Sequence, residues 1–143
     1  MTSLEGVKVL DLSRYIAGPY CAMLLGDMGA EVVKIEPPGA GEYARCALPA
    51  VGGTSLYTFI VNRNKKSVAL DLRSDEGRAL LRELVQAADV LVENFRPGTM
   101  EDMGFGWDVL HALNPRLVMA RISGFGQDGP LAHKQCFVGV AQA

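Results

Sequence analysis

Residues 89–98 read DVLVENFRPG, and this stretch decides the fold. The apolar run at 89–92 is short and is followed by the breaker Pro97-Gly98. That is the pattern of a strand buried on both faces of a parallel sheet. The polar, aromatic and basic residues Glu93, Asn94, Phe95 and Arg96 then fall in the loop past the strand's carboxyl end. Open α/β sheets place their ligands there. Working outward, the same strand-to-loop logic recurs in VKVLDLSRYIAGP at 7–19, NRNKKSVALDL at 62–72 and LVMARISGFGQDGP at 117–130.

The remaining segments fill in an alternating pattern. Strands are predicted at 7–12, 31–36, 67–72, 89–92 and 117–122. Pro19 suits the first turn of a helix over 20–28, which is apolar nearly all round and is expected to be buried. Gly29 fits its C-terminal cap. Residues 39–53 form a long Gly/Pro-rich connection without periodicity, and such loops are functional or mobile. Residues 55–61 are a short helix or turn. Ser74 is an N-cap, with Asp75 and Glu76 complementing the dipole of the helix that follows. Leu80, Leu81, Leu84, Val85 and Ala88 recur on one face of that helix. Short helices follow at 100–103 and 107–113, the second ended by Asn114-Pro115. Strands alternating with helices predict an α/β, Rossmann-like, mostly parallel sheet flanked by helices. No repeat or linker divides the chain, so residues 1–143 are read as one domain.

Bulk composition excludes several function classes. The chain has 143 residues, 49% hydrophobic and 21% charged, the balance of a globular domain. A net charge of −2 gives no reason to expect a nucleic-acid partner. No apolar run reaches the ~20 residues of a transmembrane helix, and Glu5 beside a strand pattern is unlike a signal peptide. A cytoplasmic location without a membrane partner is therefore the expectation. The three cysteines, Cys21, Cys46 and Cys136, are irregularly spaced and form no CxxC pair. Neither a metal site nor a redox dithiol is expected from them. Cys21 reads as a small core residue, and nothing near Cys46 marks it as activated.

Each motif has a functional and an ordinary reading. In SRYIAGP, Ala17 and Gly18 let a ligand approach the backbone beside a helix N-terminus that favours anions; the segment also reads as an ordinary βα turn. A dinucleotide site would use Glu36 for a ribose, but the GxGxxG spacing is absent, which argues against NAD or FAD. Arg63, Lys65 and Lys66 of NRNKK could meet phosphates, although at least two of the three are expected to be ordinary solvated charges. Asn94 could bond amides, Phe95 could wall an apolar chain, and Arg96 could pair with a phosphate or carboxylate; alternatively Phe95 plugs the core. The glycines of 123–130 can line a pocket. Arg121 stands where a GxSxG elbow needs its first glycine, so Ser123 is not a nucleophile of that kind.

Together, in this order and spacing, the four strand-to-loop units resemble the class III CoA-transferases, the formyl-CoA transferase and carnitine CoA-transferase group. The resemblance runs from Leu4-Glu5-Gly6 to the last residue. It implies binding of a coenzyme A thioester as substrate, with no permanently bound cofactor, and a carboxylic acid as second substrate. By the same resemblance Ala17, Leu70, Asn94 and Phe95 contact CoA, Leu70 against the adenine, and Arg45 and Arg96 can contact the nucleotide or a carboxylate. Two positions depart from the family pattern. Ile16 stands where the formyl-CoA transferase branch often has Gln, and Asp102 stands where a basic residue often precedes Met-Gly. The family's aspartate nucleophile, which forms a mixed anhydride and then an aspartyl-CoA thioester, lies beyond the region matching this chain. No catalytic residue is therefore assigned. Asp11 and Asp71 read as strand-end structural acids. The resemblance also implies a homodimer and makes the chain look like a truncated protein or fragment. Two further readings accompany the transferase: a non-catalytic CoA-binding or dimerisation module, and an acyl-CoA racemase relative.

Overall fold

The structure is a computed structural model that describes residues 2–137 together with Val140 and Gln142. In chain order it contains β1 (Lys8–Asp11), α1 (Ala17–Asp27), β2 (Glu31–Glu36), β3 (Ala50–Val51), β4 (Thr54–Ser55), α2 (Leu56–Val61), β5 (Lys65–Ala69), α3 (Asp75–Gln86), β6 (Val90–Glu93), α4 (Thr99–Asp102), α5 (Trp107–Leu113) and β7 (Val118–Arg121). Five strands form one sheet in the order β5-β2-β1-β6-β7. All four pairings in it are parallel. That order, reversing direction between β1 and β6, is the doubly wound Rossmann arrangement. The α/β reading of the sequence therefore holds. No described helix is long and apolar enough to cross a membrane.

Strand alternation sends successive side chains to opposite faces. Leu10, Leu12, Ile35 and Leu91 pack against Leu81 and Val85 of α3, Met100 of α4, and Leu110 of α5. Val9, Val32 and Val92 pack on the other face against Ala22 of α1. α3 starts as its sequence foretells: Ser74 Oγ accepts from Gly77 N at 3.0 Å. Gly29 follows α1 with φ +103°, so its missing Cβ is needed there.

The structure corrects four expectations. α1 is not buried all round, since Tyr20, Leu24 and Met28 are 49%, 42% and 44% exposed. Only one face of the helix meets the sheet. It begins at Ala17, so that Pro19 lies in its first turn as expected. Leu80 is 48% exposed, outside the α3 face that holds Leu81 and Val85. β5 begins two residues early, at Lys65, because pairing with β2 starts at Val32↔Lys65. The 39–53 connection is not structureless, as it holds a 3-10 turn at Tyr43–Cys46 and the first strand of the β3–β4 hairpin.

Candidate functional site

The carboxyl ends of β1 and β6 are neighbours, and their following loops diverge because the chain leaves β1 for one face and β6 for the other. A cleft of ≈ 490 Å³ opens along this edge of the sheet. Leu12, Ile35, Leu70, Leu72, Phe95 and Met103 give it apolar walls, while Arg14, Arg73, Arg78, Glu36, Asp71 and Asp102 supply charges. Arg78 is partly engaged, donating to Asp75 and to the Arg73 carbonyl. Among the described residues, the Arg14 and Arg73 guanidinium groups make no ion pair. The cleft thus combines a flat apolar slot with two cations free to meet an anion.

The loops around it are cross-braced. Asn94 Oδ1 accepts from Arg14 N at 2.7 Å, and Asn94 Nδ2 donates to the Arg14 carbonyl at 2.8 Å. The Arg14 guanidinium lies over the Phe95 ring, 5.1 Å from its centre, a cation–π distance. Phe95 N in turn donates to Glu93 Oε2 at 2.7 Å. Glu93 is buried, and its other oxygen accepts from Arg121 Nε at 2.8 Å. Arg121 also grips both oxygens of Glu101, at 2.7 and 3.0 Å. That hydrogen bonding from Arg121 holds the Glu101 carboxyl below its usual range.

A smaller cavity of ≈ 220 Å³ adjoins the cleft, sharing Glu36 and Pro37 and adding Gly39, Gly41, Arg45, Ser67 and Ala69. Here Arg45 forks onto Glu36, Nε to Oε1 at 2.7 Å and Nη2 to Oε2 at 2.5 Å. Burial pushes the Glu36 carboxyl up, but Arg45, the Ser67 hydroxyl and the Glu42 N–H outweigh it and bring it down to about 2. Gly41, at φ +74°, leaves room for this fork: a Cβ there would meet Arg45 Cδ at 2.5 Å.

Residues 4–143 match the family model described as CoA-transferase family III. The chain belongs to that family. It is 50% identical over 141 residues to a succinyl-CoA–D-citramalate CoA-transferase of Chloroflexus aurantiacus, covering 98% of this chain and 35% of the relative. It is 48% identical over 139 residues to an acetyl-CoA:oxalate CoA-transferase of Acetobacter aceti, covering 97% and 36%. A solved CAIB/BAIF family protein from Brucella suis superposes with a TM-score of 0.92 at 40% identity, covering 99% of this chain and 38% of that one. The chain thus spans about a third of the length of the curated relatives it matches.

Within this family III chain, the six residues singled out from sequence divide into four groups. Leu70 and Phe95 line the same cleft, as expected of contacts to one ligand. Asn94 stands beside it, and its amide is spent first on the Arg14 backbone. Ala17 opens α1 and is exposed, while Arg96 is exposed with its guanidinium against the Gln135 side-chain amide. Arg45 sits apart in the adjoining cavity with its fork committed to Glu36. Two of the NRNKK cations, Arg63 and Lys66, are surface charges as expected, whereas the Lys65 side chain is buried, and each of the three has a partner inside the chain. Arg63 pairs with Asp27, Lys65 with Asp11 and Lys66 with Glu31. Arg14 and Arg73 were missed. Each directly follows a predicted strand region, in LDLSR and LDLR, and that position alone was the available signal.

Proposed function

We propose that the cleft binds a coenzyme A thioester, and that residues 1–143 form the CoA-binding Rossmann-like unit of a CoA-transferase. Such an enzyme moves CoA from a thioester to a free carboxylic acid. The observation that carries this reading is the slot between Leu70 and Phe95 with Arg14 and Arg73 at its rim. An adenine or pantetheine chain suits the apolar walls, and the phosphates suit the guanidinium groups. Arg96 stands ready for a phosphate or the acid's carboxylate, Ala17 leaves backbone approachable, and Arg45 serves from the adjoining cavity. Asp102 lines the cleft where a cation would strengthen phosphate binding, so affinity is expected to rest on Arg14 and Arg73. The resemblance puts the aspartate nucleophile beyond Ala143; on this reading the chain alone binds CoA without turning it over. A cytoplasmic, homodimeric protein with no nucleic-acid or membrane partner completes the proposal.

Calorimetric titration of CoA, with dephospho-CoA as comparison, tests it. Saturable binding is expected, weakened about tenfold by removing the 3′-phosphate or by Phe95→Ala, the size of one charge-assisted bond or one lost apolar wall. Absence of saturable binding to the folded chain overturns the reading.

A further inference from the structure

The α1 side of the sheet holds an ion cluster that does not line the cleft. Asp11 on β1 lies in register with Lys34 on β2, and Lys65 reaches them from β5. Their side chains are at most 2% exposed. Lys65 Nζ donates to Asp11 Oδ2 at 2.7 Å, and Lys34 Nζ stands 3.6 Å from the same oxygen. Burial pulls the Lys65 ammonium below its ordinary range, and Asp11 opposes that pull. Buried ions are weak stabilisers, since desolvation offsets their attraction, and apolar residues of like volume often serve stability as well or better.

Apart from a bond of Lys65 Nζ to Asn62 Oδ1 at 3.4 Å, the remaining donors and acceptors are more telling, because they end on one segment. Lys34 Nζ donates to the Ser13 carbonyl at 2.8 Å, and Lys65 Nζ donates to the Pro19 carbonyl at 2.8 Å. Asp11 Oδ1 accepts from Ser13 N at 2.9 Å and from the Ser13 hydroxyl. Glu42, also buried, accepts from Tyr15 N at 3.1 Å. Residues 13–19 are thus gripped at their entry, their exit and between. Tyr15 sits at φ +62°, a conformation that an aromatic residue keeps only where its surroundings over-determine it.

We propose that Asp11, Lys34 and Lys65 are positioning residues, which hold residues 13–19 preformed so that Arg14 stays over Phe95 on the wall of the ligand cleft. The identity of the ligand rests on the CoA reading above; the grip on the loop does not.

The test compares the chain with its Lys65→Met variant by amide hydrogen exchange without ligand, then by CoA titration. Exchange at Ser13, Arg14 and Tyr15 is expected to speed up about tenfold or more, the worth of one lost charge-assisted bond. Amides of β1, β2 and β6 should speed up clearly less than those of the loop, and CoA should bind about tenfold more weakly. If Lys65→Met does not fold, Asp11→Asn/Lys65→Met removes the charge pair together and serves instead. Unchanged loop exchange overturns the proposal, as does acceleration spread evenly over loop and strands, which a merely structural role would give. Faster loop exchange with unchanged CoA affinity also overturns it. Failure of the unaltered chain to bind CoA defeats the CoA reading alone, and the exchange pattern still decides the positioning role.

Discussion

The two faces of the sheet bury their side chains by different means. Toward α3 and α5 the strands present Leu10, Leu12, Ile35 and Leu91, packed on Leu81, Val85 and Leu110. Toward α1 the amino halves present Val9 and Val32, but the carboxyl halves present Asp11 and Lys34, joined by Lys65. The first face works by area removed from water and is indifferent to small rearrangements of its loops. The second works by directed bonds, each aimed at a particular carbonyl or N–H of residues 13–19. The difference teaches that one face holds the fold by burial alone, while the other also reaches by directed bonds to the loop beside the cleft.

Breaking the ionic face should give the largest effect. Asp11→Ala leaves two ammonium groups buried without their counter-charge, and removing one partner of a buried pair costs about 3–5 kcal/mol. Urea unfolding reads this as a lower midpoint. A loss below about 1 kcal/mol would mean that water reaches the lysines, and the contrast between the faces would fall.

The apolar face offers a sharper, internally controlled comparison. Leu81 is fully buried and its neighbour Leu80 is 48% exposed. Leu81→Ala should cost about 2–5 kcal/mol through lost burial and a residual cavity, and Leu80→Ala no more than about 0.5 kcal/mol. Similar losses at the two positions would show that α3 docks with a different face from the one described.

These neighbours also show what the sequence could and could not tell. Five apolar runs, their breakers and the Ser74 cap were enough for the parallel sheet, because buried strands and capped helices leave local signals. Leu80 was misplaced because a leucine at helical spacing looks the same whether its face is covered or not. Lys65 could not be told from its neighbours for the opposite reason: a charge next to other charges reads as solvated, and only the tertiary pairing reveals Asp11 beneath it. The cleft shows the same divide. Phe95 and Leu70 lie where their strand-end positions put them, whereas the hold of Asn94 on Arg14 spans 80 residues of chain and has no local trace.

Acid separates the two kinds of burial without mutation. Glu36 is about 2 in the folded chain against an ordinary 4.5. A depressed carboxyl adds stability that is present above the ordinary value and is lost as pH falls toward the folded one. From pH 5 to pH 2 the chain should therefore lose about 3 kcal/mol through Glu36. Glu36→Gln should flatten that part of the stability–pH curve. Leu81→Ala should shift the whole curve down with its slope kept, since an apolar contact carries no proton.

A small effect is expected at the rim where the ionic face meets solvent. Tyr15 and Tyr43 stack with ring centres 5.8 Å apart and planes 3° from parallel, both well exposed. The stack joins the loop after β1 to the 3-10 turn through side chains alone, while the Glu42 carboxylate joins them through the Tyr15 N–H. Tyr43→Ala removes the first link and leaves the second. An aromatic pair is worth about 0.5–1.5 kcal/mol beyond its area, so unfolding should shift by about 1 kcal/mol with exchange at the Tyr15 amide little changed. If that amide instead exchanges as fast as in Lys65→Met, the ring stack rather than the buried charges holds residues 13–19. The directed bonds of the ionic face would then be a consequence of the loop's shape and not its cause.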